Sequence, residues 1–153
     1  MRKAVNLYRS TEGIAVESTS MLAGGGRVAD GWTQVVGSDE ATAERVGEAV
    51  LAGIERSGAI GVEALPPLGG TEATPGSRAL GFETENAMLA AGVASVAVGL
   101  KGSRWKVTPM RNEGAGRGFA SHPDASPVSH DGEWSAADLG AAALSALDSA
   151  AGS

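Results

Sequence analysis

Residues 105–123, WKVTPMRNEGAGRGFASHP, decide between two kinds of fold. Three glycines alternate through the stretch (Gly114, Gly116, Gly118), with Arg111 and Arg117 beside them. If a helix follows the glycines, the segment is a strand–loop–helix cradle for phosphate, of the kind found in parallel sheets. If a strand follows, it is a connection between antiparallel neighbours. Phe119–His122 has an extended pattern, and Pro123 opposes a helix there. The third glycine also arrives one residue too early for the dinucleotide fingerprint. The stretch is therefore expected to join two strands, with no helix dipole aimed at a bound anion.

Working outward, VASVAVGL (93–100) is rich in β-branched residues, and RWKVTP (104–109) is expected to pair with it across Lys101-Gly102-Ser103. GFASH (118–122) and PVSH (127–130) are expected as further strands, the second starting at a sheet edge because of Pro127. Near the N-terminus, Val5 and Leu7, then Ile14 and Val16, alternate with polar residues on either side of a turn at Thr11–Gly13. A glycine run, Gly24–Gly26, precedes a short extended piece at Trp32–Val36.

Helices are expected at three places. The first begins with Ser38 as N-cap and Asp39 and Glu40 in its first turn; Val46, Val50 and Ile54 form an apolar stripe before Gly58 ends it. A shorter helix covers Glu83–Ala91 and stops at Gly92. The last is capped by Ser135, with Asp138 three residues on and a Trp134/Leu139 staple. Residues 61–78, with three prolines and several glycines, are expected to be an irregular connection. The fold class that follows is α+β: one domain over residues 1–153, with a mostly antiparallel sheet carrying two longer helices and one short one.

Composition narrows the chemistry. The 153 residues include no cysteine, so disulfides, thiolate nucleophiles and thiolate metal sites are excluded. The formal charge of −6 opposes nucleic-acid binding as a primary role and favours a basic protein partner. No apolar run reaches the roughly 20 residues of a membrane span, and the MRKAVNLYRSTEG start lacks a signal-peptide core. A cytoplasmic location is expected, with no membrane partner.

Catalytic signals are weak. The Walker pattern fails because Leu100 stands where its lysine is required. No nucleophile elbow is present, and on the expected helix Glu83 and Glu85 are about 200° apart and do not share a face. His122 and His130, with Asp124 and Asp131 nearby, are the one candidate metal set, on adjacent expected strands joined by a turn that would let them face each other. Together with the Gly114–Gly118 loop they define an alternative reading as a small-molecule or nucleotide-binding enzyme.

A specific resemblance points elsewhere. Trp105–Pro109, the glycine loop 114–118, the Gly118-Phe119 pair opening the next strand, and the capped helix from Ser135 to Leu139-Gly140 follow one another in a characteristic order. With Glu44–Val50 and its central glycine, the pattern resembles the immunity proteins of bacterial contact-dependent growth inhibition systems. It is strongest over residues 38–56 and 93–147. The resemblance implies a small α+β inhibitor with no active site and no cofactor, which binds a cognate toxin domain, typically a basic nuclease. Candidate toxin-binding residues on that reading are Glu83, Glu85, Asp124, Asp131 and Glu133.

Overall fold

A computed structural model of the chain describes residues 2–21, 27–58 and 73–151. The Gly24–Gly26 run and most of the expected connection at 61–78 lie outside the described residues. Alternation in the N-terminal segment produces β1 (Arg2–Ser10) and β2 (Gly13–Met21), paired antiparallel around Thr11 and Glu12. Beyond them come β3 (Arg27–Gly37), β4 (Ala94–Lys101), β5 (Arg104–Asn112), β6 (Phe119–Ser121) and β7 (Val128–Asp131). The order across the sheet is β3-β2-β1-β4-β5, with β6 and β7 both on the outer edge of β5, and every pairing is antiparallel. The expected α+β class holds.

Four α-helices are described: α1 (Ala43–Arg56), α2 (Pro75–Ala79), α3 (Glu85–Ala90) and α4 (Ala136–Ala151). The first does not begin at Ser38. Ser38–Glu40 form a 3-10 turn, and the cap is Thr42, whose Oγ1 accepts the Arg45 N–H at 3.3 Å. Serine and threonine both cap helices, so the residue type was right and its position four residues off. The helix α2 is a second correction, lying inside the stretch expected to be irregular. Thr74 caps it and Pro75 supplies a pre-set φ at its first position. Ser135 does cap α4, its Oγ accepting the Asp138 N–H at 3.2 Å.

The long helices cover one face of the sheet. Val5, Leu7, Val16, Val96, Val98 and Val107 meet Val46, Val50, Leu139 and Leu147 in one buried cluster. The contact between α1 and α4 is made through glycine. A Cβ added at Gly47 would lie 1.7 Å from the Ala136 carbonyl oxygen, and one at Gly140 would lie 1.6 Å from that of Ala43. Each helix therefore receives the other's first-turn carbonyl on a residue with no side chain. The opposite face is split. Near β2 and β1 it is covered by α2 and α3, with Tyr8, Ala15, Leu80, Met88 and Val93 in a second cluster. Among the described residues no helix is long and apolar enough to cross a membrane.

Replacing Gly140 with alanine tests the crossing. Helix propensity alone would stabilise α4 by roughly 0.5–1 kcal/mol, whereas a methyl driven into backbone costs about 1–3 kcal/mol or more. Gly140→Ala is expected to lower the urea midpoint; an unchanged or raised midpoint would refute the close approach.

Candidate functional site

The glycine loop is a strand connection. Glu113 N–H donates to the Gly118 carbonyl at 2.9 Å, and Arg117 N–H to that of Gly114 at 3.0 Å, closing the turn. Gly114, Gly116 and Gly118 all have positive φ (95°, 78° and 74°), which glycine adopts without strain. Asn86 Oδ1 accepts the Gly116 N–H at 2.8 Å, tying the loop to α3. No helix follows; β6 does.

The two histidines do not meet. The expectation that they face each other required their strands to be neighbours, but β6 and β7 lie end to end along β5 instead. His122 N–H donates to Pro109, while His130 sits opposite Trp105, four residues or about 13 Å of strand away. Pro109, with no N–H to give, stands where the edge pairing breaks between them. His122 is only 7% exposed, and its Nδ1 accepts the Asp124 N–H at 3.1 Å. His130 contacts the Glu133 carbonyl through Nε2 at 2.8 Å and stacks on Trp134 with centroids 4.6 Å apart. Among the described residues no group of three or more His, Cys, Asp or Glu is placed to hold a metal ion.

The five candidate carboxylates fall in three places. Glu83 and Glu85 flank Thr84, the cap of α3 on the second face. Asp124 is exposed in the connection between β6 and β7. Asp131 and Glu133 are exposed at the end of β7. There Leu51, Trp105, Glu133, Trp134, Ser135 and Asp138 line a shallow cavity of about 620 Å³. Its wall is aromatic, with the Trp105 and Trp134 rings edge to face at 6.2 Å. Two carboxylates over indole rings suit a guanidinium or ammonium group.

Sequence reasoning missed a buried carboxylate. Glu17, on β2, is 1% exposed and accepts from Gly76 N–H at 3.0 Å, Tyr8 O–H at 3.2 Å and Asn6 Nδ2 at 3.4 Å. No cation pairs with it among the described residues. Burial raises its pKa above the ordinary glutamate value, while the polar groups of Thr74, Gly76, Asn6 and Tyr8 pull the other way. Burial also pushes the Tyr8 phenol up, reinforced by the Glu17 charge. Perturbed carboxylates often mark active sites, but this one is roofed by α2 and lines neither of the two described cavities. Its arrangement is that of a latch holding α2 to the sheet. The signal was legible in outline: one acid among the buried residues of GIAVESTS.

A further polar network holds the end of α1. Ser57 Oγ donates to the Thr19 carbonyl at 2.5 Å and accepts the Ala4 N–H at 3.0 Å. Buried Asp30 accepts from Ser18 Oγ and from Ser20 Oγ, the latter at 2.7 Å. Arg27 reaches Thr19, Ser57 and the Arg2 carbonyl, and burial, then the nearby Arg2 charge, lowers its pKa.

No family model and no curated protein matches the sequence. The likeness is one of shape. A protein of unknown function, NMB0488 from Neisseria meningitidis, superposes with a TM-score of 0.73 at 18% identity, over 97% of this chain and 95% of that one. A chain of the CdiA-CT/CdiI toxin and immunity complex from Yersinia pseudotuberculosis superposes with a TM-score of 0.69 at 15% identity, over 97% of both chains. At these identities the fold is shared end to end.

Two measurements check this account. Because the folded state holds the Glu17 proton to a higher pH than the unfolded chain, the stability linked to it is present at acid pH and declines as pH rises through the folded value. Glu17→Gln removes that titration, so the variant is expected to gain on the parent in denaturant midpoint as pH rises above the ordinary glutamate range. A pH-independent difference between the two would exclude a raised pKa. Trp134→Ala is expected to cost about 1–3 kcal/mol, less than the roughly 3–5 of a fully buried tryptophan, because Trp134 packs on the core cluster while half-buried. An unaltered melting temperature would remove the staple from the account.

Proposed function

We propose that the protein is an immunity protein that binds and neutralises the toxic C-terminal domain of a contact-dependent growth inhibition system. The observation that carries this is the superposition, over 97% of both chains, on a member of the Yersinia pseudotuberculosis toxin and immunity complex. The reading takes that member as the immunity partner, in line with the sequence resemblance around the glycine loop and the two long helices. The separation of His122 from His130 and the strand that follows the Gly114–Gly118 loop count against the enzyme alternative, and this reading assigns function to surface complementarity.

The partner on this reading is a basic nuclease met in the cytoplasm. The surplus of 18 acidic over 12 basic residues supports it by favouring encounter with a cationic surface. Glu133 and Asp138, which line the Trp134 cavity, are the acidic groups best placed to receive a lysine or arginine, with Asp131 opposite Arg104 on the other face of β7. Glu83, Glu85 and Asp124 serve as rim charges, felt at a distance and screened by salt.

Co-expression with the toxin domain encoded beside this gene tests the proposal. A stoichiometric complex and rescue of growth are expected; growth arrest without complex formation would refute it. Within a working complex, Asp131→Asn with Glu133→Gln is expected to slow association by roughly threefold to tenfold at low salt and little at high salt. Association unaffected by salt would show that the acidic groups serve solubility alone.

A further inference from the structure

The half of the second sheet face that α2 and α3 leave open carries cations. Residues paired across antiparallel strands point to the same face. Arg2 pairs with Lys101, Lys101 with Arg104, and Arg104 with Asp131, so three cations stand side by side in one transverse row. They are about 5 Å apart at each pairing. In the next row, about 7 Å along the strands, Ala4, Gly99, Lys106 and Ser129 follow one another. Arg2, Lys101, Arg104 and Lys106 are all exposed. A Cβ added at Gly99 would meet only the Lys3 carbonyl oxygen, at 3.8 Å, so among the described residues nothing lies over the middle of this face.

Two features set this cluster apart from an ordinary solvated surface. Like charges directly opposite one another on neighbouring strands destabilise a sheet, yet here they occur at two successive pairings, Arg2–Lys101 and Lys101–Arg104. Nor does any of the four make an ion pair within 4.0 Å among the described residues, although Asp131 is the cross-strand neighbour of Arg104. A chain with a net charge of −6 thus concentrates four of its twelve cations on one flat patch.

We propose that this basic sheet face is a docking surface for an acidic segment of a protein partner. If the immunity reading holds, on which the partner's identity rests, the segment belongs to the toxin, whose contact surface then carries carboxylates as well as the cations expected of a nuclease. Spacing supports a protein occupant: glutamates three or four residues apart on a helix lie about 5–6 Å from one another, which matches cations on adjacent strands. A nucleic acid is disfavoured because the patch offers small residues, Ala4, Ala97 and Gly99, and no exposed ring on which bases could stack. A long phosphate chain would also run onto the acidic remainder of the surface.

The test has two arms on the full-length chain. In the first, fluorescein-labelled decaglutamate and a labelled 20-base-pair DNA duplex are titrated at low salt. Saturable decaglutamate binding is expected, weakened about tenfold or more in Arg104→Glu/Lys106→Glu and little in an Arg45→Glu/Arg78→Glu control. No saturable binding, equal loss in the control, or preference for the duplex would overturn the inference. In the second arm, co-purification with the toxin domain compares the parent with the same two variants. Loss confined to Arg104→Glu/Lys106→Glu supports the inference, and equal retention by all three overturns it while leaving the immunity reading intact. If the parent itself captures no toxin, the immunity reading fails, and the peptide titration alone decides the face.

Discussion

The crossing of α1 and α4 is the constraint on which the rest of the molecule depends. Both helices open with alanine and place glycine four residues later, Ala43 with Gly47 and Ala136 with Gly140. That spacing puts the small residues on one helix face, and the reciprocal approach of carbonyl to glycine brings the two backbones into contact. Helices so close act as a single slab, α1 over β1, β2 and β3 and α4 over β4 and β5. This explains how a chain with few aromatic residues and much alanine still fills a core: the void that small side chains would leave is closed by moving backbones together.

With both long helices committed to one face, the other face receives, among the described residues, only short helices. There α2 and α3 cover the end near β2 and β1, and the buried Glu17 side chain fixes α2 through a main-chain N–H. An unpaired buried carboxylate is an expensive fastening. It is held here by several converging donors, with no counter-ion among the described residues, and one of those donors is the Gly76 N–H of α2. The other half of the face is left uncovered by the described residues and carries its own charge, opposite in sign to that of the whole chain.

Two surfaces of contrasting character result. Around Trp134, Glu133 and Asp138 line a cavity beside the indole rings at the junction of β7 and α4; across the sheet, exposed cations line β1, β4 and β5. A protein that works by complementarity benefits from such contrast, since a partner must present both signs in the right places and a uniformly charged competitor meets repulsion at one of them.

Local order was readable from residue types and spacing. The alternation in β1 and β2, the Ser135 cap, the Thr-Pro start of α2 in hindsight, and the strand character after Gly118 all rest on neighbours in the chain. Those signals established the α+β class and set aside the phosphate cradle. Register and layer were decided only in three dimensions. Nothing in the spacing of His122 and His130 indicates that their strands share an edge of β5 end to end, because that depends on where pairing breaks at Pro109. Likewise Arg2, Lys101 and Arg104 are scattered in sequence and become one row only when β1, β4 and β5 pair in register. The sequence by itself determined which segments form strands and helices, since that is governed by short-range sterics and capping. The tertiary structure decided which charges stand together and which are buried, since that is governed by long-range pairing and by which face the glycine-linked helices occupy.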